Sequence, residues 1–177
     1  MQPALLRKLD RLDLAEIDFV RAVVSASRGG VLNRASRVVT FLSNGWLYLA
    51  AAWVILYSHD SRRPLVAALA SVALAFIPYF LIKPMIGRLR PCDRDPLLGC
   101  GVKQLDQFSC PSGHVMAAAA FGIPMIYAFP GAMLVVAGVF LLICWARVAV
   151  GHHYPSDLIF GLLIGASVAL PIATMLL

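Results

Sequence analysis

The chain has 177 residues, of which 60% are hydrophobic and only 14% charged, and its mean hydropathy is +0.82. An ordinary soluble domain carries about a quarter charged residues, so this composition excludes one and indicates an all-α integral membrane protein formed as a single domain over residues 1–177. The net charge of +6 favours anionic partners, which at this hydropathy means membrane lipids and lipid phosphates; no basic tract interleaved with aromatics points to nucleic acid.

Residues 1–30 differ from the rest. Leu5, Leu6, Leu9, Leu12, Ile17, Phe19 and Val20 alternate with Arg7, Lys8, Asp10, Arg11, Asp13, Glu16, Asp18 and Arg21. The pattern predicts an amphipathic helix ending near Gly29-Gly30, lying on the membrane surface or packed against a bundle. It lacks the uncharged core and small-residue cleavage site of a signal peptide.

A hydrocarbon core about 30 Å thick takes roughly 20 apolar residues as helix. Five stretches within residues 38–177 qualify: about Val38 to Ser58, Pro64 to Ile82 (stopped by Lys83-Pro84), Ser112 to Phe129, Ala132 to Val150, and Pro155 to Leu177. Pro78 and Pro124 are expected to kink two of them. The connections His59-Asp60-Ser61-Arg62-Arg63 and Pro130-Gly131 are short enough for antiparallel hairpins, whereas residues 84–111 form one long loop, which suggests function. With five spans, the N-terminus, the long loop and the Gly151–Pro155 turn fall on one membrane face.

That face collects three polar islands. Ionisable residues at membrane depth cost roughly 2.5–3.5 kcal/mol each on insertion scales, so they are rarely there without a task. Lys83, Arg88 and Arg90 close the second span; Lys83 and Arg88 alone read equally well as snorkelling flanks, but Pro91 aims the Arg90 guanidinium, a good fork for phosphate oxygens. Pro111-Ser112-Gly113-His114 opens the third span. There the free N–H groups, the Ser112 hydroxyl and a close backbone approach at Gly113 suit an anion, with His114 placed to donate a proton. Arg147 ends the fourth span, and His153 and Asp157 follow. A carboxylate four residues after a histidine can hold one ring nitrogen and leave the other as nucleophile. His152 reads as structural.

Lys83-(six residues)-Arg90-Pro91, Pro111-Ser112-Gly113-His114 and Arg147-(five residues)-His153-(three residues)-Asp157 together resemble the tripartite signature of the type 2 phosphatidic acid phosphatase (PAP2) superfamily, and the layout resembles its small bacterial membrane members. One position departs: Ala146 stands where the family usually has Ser. The resemblance implies a hydrolase of lipid phosphates or diphosphates that uses no metal or other cofactor. His153 would attack phosphorus with Asp157 holding its tautomer, and His114 would protonate the leaving oxygen. Lys83, Arg90, Arg147, Ser112 and Gly113 would bind the phosphate. Candidate substrates are an isoprenyl diphosphate such as undecaprenyl diphosphate, phosphatidylglycerol phosphate, phosphatidate and lipid A phosphate, with the carrier lipid favoured by the small layout.

Other readings use the same residues. Phosphoryl transfer to a second lipid would share the phosphohistidine, and a lipid-phosphate binder or transporter would need only the cations. A metal site would draw on Asp93, Asp95, His114, His152, His153 and Asp157, but the islands are rich in cations. Counting Lys and Arg near span ends puts the active face in the cytoplasm; the resemblance puts it outside the bacterial inner membrane, and that orientation is the expectation here. On that side a bridge such as Cys92–Cys100 would staple the long loop, although the sequence cannot choose among Cys92, Cys100 and Cys110.

Overall fold

Helices form wherever the apolar runs predict them, and the polar face is built by what lies between. The computed structural model describes residues 3–58 and 62–177, with side chains from residue 11 onward. The helices are α1 (Pro3–Ala26), α2 (Gly30–Leu42), α3 (Trp46–Ser58), α4 (Arg63–Ile86), the single turn α5 (Pro91–Arg94), α6 (Gly113–Ala128), α7 (Met133–Ala149) and α8 (Pro155–Leu176), with a 3-10 turn at Pro130–Ala132. The expected hairpin turn at residues 59–61 and the side chains of Leu5, Leu6 and Leu9 lie outside the described residues.

Three helical stretches are long and apolar enough to cross a bilayer alone: Arg63–Arg94, Pro130–Ala149 and Pro155–Leu176. The expected first span, 38–58, is not one straight helix. It is the C-terminal part of α2 followed by α3, and the two helices bend by 62° across residues 43–45. The α6 helix has 16 residues, about 24 Å at 1.5 Å per residue, so it is shorter than the hydrocarbon core. The second span runs past its expected stop at Lys83-Pro84. Proline's fixed φ is compatible with a helix, and it removes only one donor. The helix therefore continues to Ile86 and ends on Gly87, in the left-handed conformation with its N–H on the Lys83 carbonyl, a common C-terminal cap.

The centre is the triad α4, α6 and α8, with α7 against α6 and α2 against α7. Two glycines one turn apart let α8 approach α6 closely. A Cβ on Gly161 would lie 2.5 Å from the Ser112 carbonyl oxygen, and one on Gly165 would lie 2.4 Å from that of Met116. Apolar helices in lipid gain little by hiding oil from oil, so close backbone contact of this kind is a main source of packing. The outer faces keep Trp53, Leu69, Phe80, Leu134, Leu141 and Leu163 exposed, as lipid-facing helices do.

The N-terminal helix packs against the bundle, one of its two expected arrangements. Ile17, Val20 and Val24 are buried against Cys92, Leu98, Val148 and Tyr154, which docks α1 on the bundle. Leu12, Leu14 and Phe19 remain exposed. Arg21 pairs with Asp95 at 2.8 Å and Arg94 with Asp13 at 2.6 Å, tying α1 to the start of the long loop.

Cys92 and Cys100 are joined by a disulfide, while Cys110 and Cys144 are free. Closing so short a loop contributes about 2–3 kcal/mol in the chain-entropy account. Reductant, or Cys100→Ser, is therefore expected to lower the melting temperature of the purified protein by several degrees. An unchanged transition would show that the bridge does not staple the loop.

Candidate active site

Six polar side chains from separate parts of the chain meet at one cavity of about 320 Å³. Lys83 comes from the last turns of α4, Arg90 and Asp106 from the long loop, His114 from the first turn of α6, Arg147 from the end of α7, and His153 from the turn before α8. Tyr48, Val72, Phe76 and Ala117 supply an apolar wall, and Asn44, in the bend between α2 and α3, closes one side.

His153 is fully enclosed. Its Nε2 lies 3.5 Å from Arg90 Nη1 and 3.4 Å from Arg147 Nη2, and its Nδ1 lies 3.6 Å from Asp157 Oδ2. Two guanidinium groups at Nε2 and a carboxylate at Nδ1 favour the neutral tautomer with its proton on Nδ1 and a lone pair on Nε2. Burial first, then Arg147 and Arg90, hold the imidazole well below its ordinary pKa. A buried ring among cations loses its proton because the charged form is penalised twice. His153 is thus an uncharged base at neutral pH.

Asp157 serves helix and site together. Its Oδ2 accepts the Tyr154 N–H at 2.9 Å, capping the start of α8, while Oδ1 accepts from Arg88 Nη1 at 2.7 Å. Arg88 does not reach the cavity. Its guanidinium also donates to Asp13 at 2.8 Å, to Glu16 at 2.9 Å and to Ser156 at 2.6 Å. It stacks 4.0 Å from the centre of the Tyr154 ring. Neither reading of Arg88 from the sequence, snorkelling flank or phosphate cation, describes this buried hub between α1 and α8.

His152 turns away from His153, as expected of a structural residue. Its Nδ1 lies 2.9 Å from Arg147 Nη2 and its Nε2 lies 3.0 Å from the Val102 carbonyl, while its own carbonyl accepts from Arg90 Nη1 at 3.0 Å. It fixes both arginines. Burial, then Arg147 and Arg90, push its pKa down to about 3, so it too is neutral.

Lys83 Nζ donates to the Tyr79 hydroxyl at 2.8 Å and to Asp106 Oδ2 at 2.9 Å. Tyr79 donates to the same carboxylate oxygen at 2.8 Å, and Arg90 Nη2 holds Asp106 Oδ1 at 2.5 Å. Burial raises the Asp106 pKa, but Lys83, Tyr79 and Arg90 together outweigh it and hold the carboxyl below its usual range. His114 Nε2 lies 2.6 Å from Asn44 Oδ1. Gly113 lines the cavity, and a Cβ there would lie 3.0 Å from the Tyr79 ring, so a larger residue would need that ring to shift. Ser112 sits just behind the cavity, its N–H on the Asp157 carbonyl at 3.0 Å. The Ser112 hydroxyl, Arg147 Nε and His153 Nδ1 are buried without a hydrogen-bond partner among the described residues.

All eight residues singled out from the sequence are therefore in or directly against one site. Ala146, the departure from the expected pattern, is fully buried beside Arg147. Asp106, Tyr79 and Asn44 escaped notice. Tyr79 is one helical turn before Lys83, and that spacing places it on the same face. Nothing in the sequence separates Asp106 from Asp93 or Asp95 on the same loop. The side chains considered as metal ligands scatter: Asp93 accepts from Gln104 at 3.0 Å, Asp95 faces Arg21, and Asp157 faces Arg88.

Residues 64–177, which hold α4 from its second residue onward, α5 to α8 and all six polar side chains that meet at the cavity, match the PAP2 superfamily. The chain belongs to the PAP2 superfamily. Similarity extends over nearly its whole length in the decaprenylphosphoryl-5-phosphoribose phosphatase of Mycobacterium tuberculosis, 32% identical over 165 residues that cover 90% of this chain and 89% of that protein. The protein of the same name from Mycolicibacterium smegmatis is 33% identical over 140 residues, 77% of this chain and 74% of its own. Two crystal structures share the fold. The phosphatidylglycerolphosphate phosphatase of Bacillus subtilis superposes with a TM-score of 0.73 at 19% identity, over 97% of this chain and 94% of that one. Aquifex aeolicus LpxE superposes with a TM-score of 0.79 at 17% identity, over 90% and 95%.

Proposed function

We propose that this PAP2 protein is a lipid phosphatase that works through a phosphohistidine on His153 without a metal ion. The observation that carries the reading is the neutral His153 ring, with Nε2 between Arg90 and Arg147 and Asp157 behind it. Nε2 attacks phosphorus, the P–O ester bond breaks, and His114 gives its proton to the departing oxygen. Water then attacks the phosphohistidine with His114 as base, the P–N bond breaks, and phosphate leaves with His153 restored. Lys83, Arg90 and Arg147 stabilise the charge on the phosphoryl oxygens, which is most of what phosphoryl transfer asks of a protein. The substrate class that the relatives' names support is a polyprenyl-phosphate-linked sugar phosphate. A cavity of about 320 Å³ holds a phosphorylated headgroup and leaves a polyprenyl tail between helices in the bilayer.

The site faces the extracytoplasmic side in this reading. Disulfides persist in oxidising compartments, and the Cys92–Cys100 bridge lies on the loop that supplies Arg90 and Asp106.

Phosphate release by the detergent-purified full chain, tested on decaprenylphosphoryl-5-phosphoribose, undecaprenyl diphosphate, phosphatidylglycerol phosphate and phosphatidate in excess EDTA, tests the proposal. Turnover of the phosphoribosyl lipid at the same rate with and without EDTA is expected. Binding without turnover on every lipid would replace the enzyme with a binding protein.

A further inference from the structure

The break in the first span carries a polar residue into the site. Ser43-Asn44-Gly45 separates α2 from α3 at the 62° bend. The turn is fixed by its own hydrogen bonds. Ser43 donates from Oγ to the Thr40 carbonyl and from N–H to the Val39 carbonyl, both at 2.9 Å, and the Asn44 N–H reaches the Phe41 carbonyl at 3.1 Å. Gly45 follows at φ +131°, where a residue without Cβ is at ease. Held in this way, Asn44 lines the cavity with Oδ1 2.6 Å from His114 Nε2. An amide oxygen accepts and never donates, so Nε2 carries a proton. Nδ1 makes no hydrogen bond among the described residues and is the nitrogen left to exchange one.

From this geometry we infer that Asn44 is a positioning residue: it holds His114 by Nε2, so that Nδ1 gives the proton in the first step and takes one in the second. The inference rests on the phosphatase reading and adds to it the segment that aims the acid. In the first step the P–O ester bond breaks and the Nδ1 proton moves to the leaving oxygen. In the second, water oxygen bonds phosphorus, its proton moves to Nδ1 and the P–N bond breaks. As the acid, His114 is an imidazolium with N–H on both nitrogens. As the base it is neutral, with its lone pair on the nitrogen that gave the proton away. An acceptor at Nε2 suits both forms, and a donor there suits neither. The other charges around the ring do not supply this. Lys83 from α4, Arg90 from the long loop and Arg147 from α7 oppose the imidazolium, and the oxygens of Asp106 are held by Lys83 and Arg90. His153, Tyr48 and Tyr79 line the same cavity uncharged, with neutral His152 behind Arg147.

The test measures phosphoenzyme formation and hydrolysis by rapid quench in the purified full chain, with an alkyl lipid phosphate and with p-nitrophenyl phosphate. Asn44→Leu, close in size but without the acceptor, is expected to slow phosphoenzyme formation from the alkyl phosphate by about 10-fold, as loss of a hydrogen bond to a charged group does. Formation from p-nitrophenyl phosphate should slow much less. Added to His114→Ala, the same substitution is expected to change neither rate, because the two residues act as one unit. Asn44→Asp sets a carboxylate beside the ring and favours its charged form. The alkaline limb of phosphoenzyme formation is expected to move to higher pH in Asn44→Asp and to lower pH in Asn44→Leu. Phosphoenzyme hydrolysis at neutral pH, which needs the neutral ring, should slow in Asn44→Asp. Asn44→Ala stands in if the Leu variant does not fold. An equal loss on both leaving groups, an undiminished effect on top of His114→Ala, or limbs that move the same way in the Asp and Leu variants would reduce Asn44 to a structural residue and overturn the inference. Failure of the phosphatase reading has a separate signature, a wild type that forms no phosphoenzyme and turns over no lipid, and the inference would fall with it.

Discussion

Replacing His153 by alanine is expected to reduce phosphate release by at least about 10⁴-fold and to abolish any labelled phosphoenzyme, with the protein still folded. Removing a nucleophile that forms the covalent intermediate costs as much as removing the whole catalytic set, because the remaining groups have nothing to assist. His153 is enclosed by Arg90, Arg147 and Asp157, so a smaller side chain leaves the cations and their phosphate affinity in place. Binding of inorganic phosphate should therefore survive while turnover does not. His114→Ala has a different signature. A general acid contributes about 10²–10⁴-fold, and its help matters only when the leaving oxygen is a poor one. The variant is expected to lose that factor in phosphoenzyme formation from an alkyl phosphate and much less in phosphoenzyme formation from p-nitrophenyl phosphate, whose leaving group needs no proton, while hydrolysis of the phosphoenzyme, where His114 is the base, slows alike for both. Rapid quench with a ³²P-labelled substrate and an acid-labile phosphoenzyme assay read both steps. Turnover by His153→Ala, or an equal loss in phosphoenzyme formation on both leaving groups for His114→Ala, would remove the assigned roles.

The order of the spans and the composition of the site were legible because both rest on residue type and spacing. Apolar runs near 20 residues mark spans in any membrane protein. Lysine, arginine and histidine at their ends are too costly in lipid to be accidental. What could not be read depends on where a side chain turns. Lys83 and Arg88 are five residues apart on the same helix-to-loop segment, yet Lys83 points into the cavity and Arg88 into a nest of carboxylates from α1. Their partners, Asp106 and Asp13, lie 23 and 75 residues away in sequence, and no local pattern encodes such pairs. The bend between α2 and α3 is different, because its signal is local: Ser43-Asn44-Gly45 interrupts the run 38–58 at the bend, and Asn-Gly is a turn pair that hydropathy averaged over about 20 residues passes over.

Arg88→Met is expected to be the most damaging change outside the cavity. Arg88 has only 2% of its side chain exposed and pairs with Asp13, Glu16 and Asp157, of which Asp157 is fully buried. Taking one partner from a buried ionic cluster costs about 3–5 kcal/mol, because the remaining charges have already lost their water. Asp13 keeps Arg94 and Glu16 keeps Ser156. Asp157 is left with neutral donors, the Tyr154 N–H and the Cys110 thiol. At about 2–4 °C per kcal/mol for a chain of this length, the melting temperature should fall by roughly 6–20 °C. Activity should fall through kcat, since Asp157 sets the His153 ring and Arg88 does not touch phosphate. Arg88→Lys, which keeps the charge and loses the fork, is expected to lie between. Glu16→Gln weakens the same hub from the α1 side and should lower kcat with KM little changed, although α1 is nowhere in the cavity. A folded Arg88→Met protein with unchanged melting temperature, normal kcat and a raised KM would return Arg88 to the phosphate cations. The opposite pattern would make α1 part of the apparatus that aims the nucleophile.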